Sequence, residues 1–410
     1  MTIGNILKFT WRYFRARKST NAINIISWVS VVAITFGTAA LLTIFSAFNG
    51  FESLVKSLYA SFYPDIRISP RSGKVMQLHP SQLQAISQVP GVAHYSMVVE
   101  EKALLQNGSL QSVVTIKGVD KSYQQVSGID SVLYHGAYQT GNSDRPGLVM
   151  GVGIEQALGI QADRTVYSLT LYLPRKGVSF DVDPSAALSY AQVYPQGSFA
   201  IQSEFDNKYV LTDLGFLKMF MLYGNDEFSA MEIKLSPQAD ASTVQQKIQS
   251  IVGGNAKVEN RYEQNRTLYA TINLEKWAIY AIFALILMVS AFNMIGALSM
   301  LVLEKQKDIQ VLKAMGATDQ LIQKIFLAEG VLLGMLGTAA GTFLSLIVYF
   351  LQTRFKLIPL QGATFLIDHY PLRLMANDFI LVITTVFVIA LFAAWLPAKK
   401  ASKQIMDLRN

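Results

Sequence analysis

Residues 277–303 read WAIYAIFALILMVSAFNMIGALSMLVL, without a charged side chain, and residues 304–318 continue as EKQKDIQVLKAMGAT. A helix rises about 1.5 Å per residue, so about 20 apolar residues cross the roughly 30 Å hydrocarbon core of a bilayer. The first stretch exceeds that length, and the second is polar enough to leave the bilayer. Together they predict a membrane span followed by a short charged segment.

Three other stretches have the same apolar character, at 23–48, 321–352 and 376–397. The chain of 410 residues is 51% hydrophobic and 15% charged, against roughly 25% charged residues in soluble proteins. The alternatives are hydrophobic hairpins inside a soluble core, or a signal peptide at 23–48. The length of the four runs disfavours both, so we predict four transmembrane helices.

Lysine and arginine cluster before the first span and after the fourth, which indicates cytoplasmic termini by the positive-inside rule. Segment 1–22 is predicted to be an interfacial amphipathic helix, and 398–410 a basic tail. The net charge of +7 then fits membrane lipids, and not nucleic acid, as the partner of these clusters. The same orientation places 304–320 in the cytoplasm, and both 49–276 and the short loop 353–375 outside.

Residues 49–276 read as a soluble α+β domain carried on two stalk helices. Apolar and polar residues alternate on both sides of Asn107-Gly108, which is typical of a β-hairpin. Proline and glycine punctuate 174–196, which predicts a long loop or a protruding hairpin. Its marker residues are Pro174, Gly177, Pro184 and Pro195. The predicted fold class is an α-helical membrane protein with four transmembrane helices plus a large α+β extracytoplasmic domain inserted between helices 1 and 2.

Motifs for catalysis are missing from the sequence. The chain has no cysteine and its four histidines are scattered, which excludes thiolate chemistry and leaves no cluster with metal-ligand spacing. No G-x-x-x-x-G-K-[ST] loop occurs, so this chain is expected to bind no nucleotide and no cofactor. We predict a non-catalytic membrane subunit.

Four glycines in the third span are spaced four, three and four residues apart. This spacing puts them on one helix face, where another helix can approach closely. Spans one and two and the stretch 379–396 of the fourth carry no charged residue, and the charged residues of the third lie in its cytoplasmic third. No ion path across the bilayer is therefore predicted. The glycines are Gly330, Gly334, Gly337 and Gly341.

The charged segment after the second span keeps apolar residues at three positions of a short helix, Ile309, Leu312 and Met315. Gly316 is placed to end that helix, and Asp319 to cap the next one. A plain connecting loop would not need an apolar edge. We therefore predict a helix that docks onto a cytoplasmic partner.

This segment resembles the motif E-K-x-[KR]-[DE]-I-x-[IV]-L-[KR]-x-M-G-A of FtsX-like ABC permeases, in which it follows the second span and docks onto the ATPase. The match runs from Glu304 to Ala317. Other stretches resemble the lipoprotein-releasing (Lol) permeases of that family. They are RYFRARK at 12–18, FNGF at 48–51, AFN at 291–293, PGLVMG at 146–151 and LGI at 158–160.

The resemblance implies an inner-membrane complex of two permease protomers, identical or paralogous. Each would bind a cytoplasmic ABC ATPase, which holds ATP and Mg²⁺. The motion driven by ATP would pass through the coupling helix, at 304–320, to the extracytoplasmic domain. The cargo would be an acylated lipoprotein, taken from the outer leaflet and passed to a periplasmic carrier.

The resemblance also implies roles for particular residues. Spans one and two would line a lipid-holding cavity, with simple helix packing as an equally strong explanation for its aromatic residues. Segment 174–196 takes the position of the family's carrier-binding hairpin. The ATPase-coupling residues are Glu304, Lys305, Asp308, Ile309, Leu312, Lys313, Met315 and Gly316, and the cavity residues are Phe45, Phe48, Phe51 and Asn293.

Two other functions remain open from the sequence. In a macrolide-type efflux permease, the top of the extracytoplasmic domain would bind an adaptor protein, and the ATPase would commonly be fused to the permease. A non-transporting FtsX-like protein would transmit a signal to cell-wall hydrolases, usually with a smaller or differently placed outer domain.

Overall fold

A computed structural model describes residues 21–164, 168–174, 188–359 and 369–403. These residues form two compact units. The helical unit contains 21–53, 271–359 and 369–403, and the α/β domain contains the described residues between 54 and 270. The interfacial helix predicted at 1–22 lies almost wholly outside the described residues.

The elements are numbered here in chain order within the described residues. The helices are α1 (Asn21–Phe62), α2 (Pro80–Ser87), α3 (Tyr123–Val126), α4 (Val152–Ala157), α5 (Ser203–Asp206), α6 (Leu214–Phe220), α7 (Ala241–Val252), α8 (Arg261–Gln264), α9 (Arg266–Glu304), α10 (Gln306–Ala314), α11 (Asp319–Phe355) and α12 (Ala376–Ser402). The strands are β1 (Ile66–Pro70), β2 (Met76–Gln77), β3 (Val92–Asn107), β4 (Leu110–Val119), β5 (Leu133–Gly136), β6 (Gly147–Gly151), β7 (Leu169–Pro174), β8 (Leu188–Phe199), β9 (Tyr209–Asp213), β10 (Glu227–Phe228), β11 (Ala230–Leu235) and β12 (Ala256–Asn260).

Four helices of the described chain, α1, α9, α11 and α12, are long and apolar enough to cross a membrane. The first two are 42 and 39 residues long, so each continues as helix well beyond its predicted span. The fourth runs to Ser402, so Lys399 and Lys400 lie in its last turn. Lys399 and Lys400 were predicted to belong to a separate tail. Their place in the helix is favourable because the negative end of the helix macrodipole attracts cations.

The glycine face of α11 packs against two helices. A methyl group added at Gly334 would lie 2.7 Å from Cβ of Ala390 in α12, and one at Gly337 would lie 2.8 Å from Cγ2 of Ile34 in α1. No larger side chain fits either contact without movement, so these glycines allow close approach of the backbones. The glycines with such neighbours are Gly330, Gly334, Gly337 and Gly341.

The α/β domain is built on a mixed sheet. Its described strands form a ten-stranded sheet in the order β12-β1-β11-β3-β4-β9-β6-β8-β5, with β7 paired to β3 and β8, and a separate pair β10-β2. The long strand β3 contributes to two apolar clusters, with Met97 in one and Leu105 in the other. It turns into β4 through Gly108, whose φ of +57° is favourable for glycine.

The segment predicted as a loop or protruding hairpin is partly strand. Strands β7 and β8 pair antiparallel from Leu169 opposite Val193 to Pro174 opposite Leu188. Pro174 ends β7 and Pro195 lies inside β8, opposite Leu148 of β6, so both belong to strands and not to a loop. Their role in binding a carrier stays a prediction. The register of the β6–β8 pair shifts beside Leu148, and such an irregularity accommodates a residue that has no N–H to donate. Gly177 and Pro184 lie outside the described residues.

A cluster of four charges lies in the α/β domain, with two side chains buried and two half-buried. Nζ of Lys117 lies 2.7 Å from Oε1 of Glu232, and both side chains are 1% exposed. Arg67 bridges Glu232 and Glu100 at 2.9 and 2.7 Å. Burial raises the pKa of Glu100, but the charges of Arg67 and Lys117 outweigh it and lower that pKa to about 2. Nζ of Lys117 also lies 5.0 Å from the ring centre of Phe62, the last residue of α1.

Candidate functional site

The short helix α10 connects α9 to α11 and contains four of the eight predicted coupling residues, while the other four flank it. Lys305, with φ −90° and ψ 12°, interrupts the helical conformation between α9 and α10. Gly316 has φ +89°, which ends the helix in a conformation that glycine adopts without strain. The cap of α11 is Thr318, whose side chain accepts a hydrogen bond from the backbone N–H of Leu321. Asp319 was predicted as that cap but is the first helical residue.

The predicted apolar edge of α10 divides between two faces. Ile309 is 1% exposed and belongs to the buried core of the helical unit, so it is not available to a partner. Leu312 is half-buried, and Met315 is 79% exposed. The exposed apolar pair is Val311, 59% exposed, and Met315, which are four residues apart and therefore share a face.

Val311 was missed as a candidate because the predicted edge started from Ile309. The i, i+4 spacing from Val311 to Met315 was the signal in the sequence that could have found it. The exposed apolar residues therefore differ from the predicted apolar edge at two positions, with Val311 added and Ile309 removed.

The charged residues of this segment are held largely by their own chain. Nζ of Lys305 lies 3.1 Å from Oδ2 of Asp308, and its side chain is 16% exposed. Nζ of Lys313 lies 2.9 Å from Oδ1 of Asp319 and donates a 2.8 Å hydrogen bond to the carbonyl oxygen of Ser402. Glu304 is half-buried. Asp308, with a side chain 49% exposed, is the most open of the charged residues assigned to coupling.

The residues predicted to line a lipid cavity differ in burial, and Phe45 is one of the walls of a cavity. Phe45 is 1% exposed, with its ring centre 6.3 Å from that of Tyr280. Phe48 is half-buried, and Phe51 stacks on another aromatic ring. Asn293, predicted to lie further in, is exposed on α9. Helix packing thus accounts for Phe45, while contact with acyl chains stays a prediction for all four.

A polar cluster near the predicted ends of three spans was missed. Nζ of Lys276 in α9 lies 3.1 Å from Oδ1 of Asp378 in α12 and 2.9 Å from Oδ1 of Asn49 in α1. The Asn49 amide also donates to Asp378. The cluster borders a cavity of about 340 Å³ whose walls include Trp277 and Tyr280. In the sequence the polar residues Asn49, Lys276 and Asp378 each lie near the end of an apolar stretch, and no local pattern indicates that they contact one another.

Among the residues that the structure describes, no group of three or more His, Cys, Asp or Glu side chains is arranged to hold a metal ion. The candidate site consists of α10 and the helices that hold it.

Comparison with known proteins matches two family models to successive parts of the chain. The model of the MacB-like periplasmic core domain matches residues 27–251, and that of the FtsX-like permease C-terminal region matches 280–405. The lipoprotein-releasing system transmembrane protein LolE of Haemophilus influenzae is 26% identical over 96% of both chains. LolC of Neisseria meningitidis serogroup B is 24% identical over 96% of this chain and 95% of its own.

Among solved structures, the periplasmic region of MacB from Actinobacillus actinomycetemcomitans aligns with 52% of this chain and 94% of its own, at 11% identity and a TM-score of 0.35. The two family models together cover most of the α/β domain, nearly all of the four spans and the short helix between the second and third spans. The chain belongs to the FtsX-like ABC transporter permeases that carry a MacB-like periplasmic core domain.

Proposed function

We propose that this chain is the permease subunit of an ATP-driven lipoprotein-releasing complex. A separate cytoplasmic ATPase binds ATP and Mg²⁺, and its cycle drives extraction of acylated lipoproteins from the outer leaflet of the inner membrane. The cargo passes to a periplasmic carrier. Two permease protomers form the membrane part, with their termini in the cytoplasm.

The observation that carries this proposal is the division of α10 into an anchored face and an open face. Ile309 fixes the helix to the core of the helical unit, while Val311 and Met315 expose apolar side chains on the other side. An exposed apolar pair on a short, anchored helix suits a partner that docks there and moves the helix. The ATPase is the partner that this family uses at that position.

Lipoprotein as cargo is supported by two further points. Relatives that match along nearly the whole chain include transmembrane proteins of lipoprotein-releasing systems. In addition, α1 and α9 expose large apolar side chains, including Phe36 at 63% and Phe292 at 64%. Such faces suit acyl chains or a second protomer, and they are unsuited to an ion path, which needs polar side chains in the bilayer.

Docking can be tested by charging the open face. Met315→Asp should remove the ATPase from the purified complex, because a carboxylate in an apolar contact must be desolvated without a partner. Met219→Asp is the matched control, since Met219 is 59% exposed in the α/β domain. An unchanged amount of co-purified ATPase with Met315→Asp would contradict the docking role.

Cargo release can be tested in proteoliposomes that contain the complex and a fluorescent triacylated lipoprotein. ATP and a soluble carrier should release the lipoprotein from the membrane, and a non-hydrolysable analogue should not. If ATP is hydrolysed while the lipoprotein stays in the membrane, extraction is the wrong function, and efflux or signal transmission takes its place.

A further inference from the structure

Lys313 lies at the junction of three helix ends in the helical unit. It belongs to the last turn of α10. Its Nζ donates a 2.8 Å hydrogen bond to the carbonyl oxygen of Ser402, the last residue of α12, and lies 2.9 Å from Oδ1 of Asp319, the first residue of α11. One side chain therefore connects the short helix to the ends of two membrane helices.

The two partners of Lys313 differ in exposure to water. The side chain of Asp319 is 64% exposed, so solvent screens its ion pair with Lys313. Ser402 is 6% exposed and ends a helix of 27 residues. The last carbonyl groups of a helix lack intrahelical donors and carry the negative end of the macrodipole, which favours a cation there. The bond to Ser402 is therefore the stronger of the two.

An apolar contact supports the same connection one turn earlier. Ile309 is 1% exposed and lies in one buried cluster with Ile322 of α11 and Ala401 of α12. Ile309 and Lys313 are four residues apart, so both lie on the inward face of α10. The side chain of Lys313 is only 14% exposed, which leaves little of it for a partner protein.

We propose that Lys313 is a positioning residue that fixes α10 to the C-terminal end of α12, so that a pull on the short helix moves α12 with it. Lys313 acts within the chain and does not bind the ATPase. The idea rests on the proposed function only in that the ATPase supplies the pull.

The absence of cysteine from the chain allows a direct test by spin labelling. Gln306→Cys in α10 and Lys400→Cys in α12 place two labels at exposed positions. In the full complex with its ATPase, the label distance should be narrowly distributed and equal with and without trapped ATP. Lys313→Met should broaden it, since losing a charge-assisted hydrogen bond raises the detached population about tenfold.

Control variants separate positioning from a general structural effect. Lys307→Met removes a lysine from an exposed position of the same helix and should leave the distribution narrow. Lys313→Arg keeps the charge and the donor and should restore the narrow distribution. Lys313→Gln, which shortens the donor and removes the charge, provides a second broadened variant if Lys313→Met does not accumulate.

Two results would overturn the proposal. A narrow, unchanged distribution in both Lys313→Met and Lys313→Gln would show that the bond to Ser402 is dispensable. Loss of the ATPase from the purified Lys313→Met complex would place Lys313 at the interface instead. Neither measurement uses a lipoprotein, so a complex that fails to release cargo would contradict the proposed function and leave this test intact.

Discussion

Nζ of Lys117 lies 2.7 Å from Oε1 of Glu232 in the α/β domain, and each side chain is 1% exposed. Removal of one member of a buried pair leaves an uncompensated charge, which destabilises a protein by about 3–5 kcal/mol. We therefore expect Lys117→Met to lower the free energy of unfolding of the domain by that amount. Amide hydrogen exchange of the sheet, measured in the purified protein, reports this loss.

An exposed lysine in the same domain provides the control for Lys117→Met. Lys247 lies on α7 with its side chain exposed to solvent. Substitutions at exposed positions usually change stability by about 0.5 kcal/mol or less, so Lys247→Met should change exchange only slightly. Equal effects of the two variants would contradict the buried role of Lys117.

Ile309 and Met315 should respond differently to truncation, although both belong to the α10 segment. Ile309 is 1% exposed, so Ile309→Ala should destabilise the helical unit by about 2–5 kcal/mol through the cavity it leaves. Met315 is 79% exposed, so Met315→Ala should leave stability unchanged and weaken ATPase binding. Thermal unfolding in detergent and co-purification of the ATPase measure the two effects. A similar loss of stability in both variants would contradict the two-face description.

A methyl group at Gly337 should disturb the contact between α11 and α1. The added Cβ would lie 2.8 Å from Cγ2 of Ile34 and 3.0 Å from the carbonyl oxygen of Val31. Overpacking of this kind costs about 1–3 kcal/mol, so Gly337→Ala should lower the thermal midpoint in detergent. Adding Ile34→Ala should recover part of the loss by making room.

Gly296 in α9 is the matched control for Gly337, because among the described residues no atom outside the adjoining backbone of its own helix lies within 4 Å of a Cβ added there. Alanine has a higher helix propensity than glycine by about 1 kcal/mol. Gly296→Ala should therefore keep or slightly raise the thermal midpoint. A lower midpoint for both variants would show that the glycines matter for a reason other than close packing.

Asp206 should make the stability of the α/β domain depend on pH. Its Oδ1 accepts a hydrogen bond from the N–H of Ile201, but burial dominates and raises the pKa of Asp206 to about 6. A carboxyl with a raised folded pKa binds its proton more tightly in the native state. The stability it contributes is complete below the unfolded pKa of about 3.9, and is lost as pH rises through about 6.

Asp206→Asn should remove this dependence, since the amide does not titrate. In the unmodified protein the free energy of unfolding should fall by about 2–3 kcal/mol between pH 4 and pH 7, because a pKa shift of one unit corresponds to about 1.4 kcal/mol. Hydrogen exchange of the sheet over that range measures it, with the exposed Asp130→Asn as control. Parallel pH profiles for the unmodified protein and Asp206→Asn would contradict the prediction.

Features that depend only on residues close together in the sequence were predictable from it. The four spans follow from local hydrophobicity, because a bilayer selects each apolar segment by its own length and composition. The end of α10 at Gly316 follows from one residue that tolerates a positive φ. The family motif also depends on a continuous stretch, so its position after the second span was recognisable at once.

Contacts between distant segments were decided only by the tertiary structure. Lys313 and Ser402 lie 89 residues apart, and nothing in either neighbourhood indicates that they meet. Helical periodicity shows that Ile309 and Lys313 share a face, but the direction of that face depends on where other helices lie. The sequence by itself thus determined a membrane permease with a short connecting helix. The packing of α11 and α12 decided which side of that helix is buried, because burial is a property of the neighbours that surround a residue.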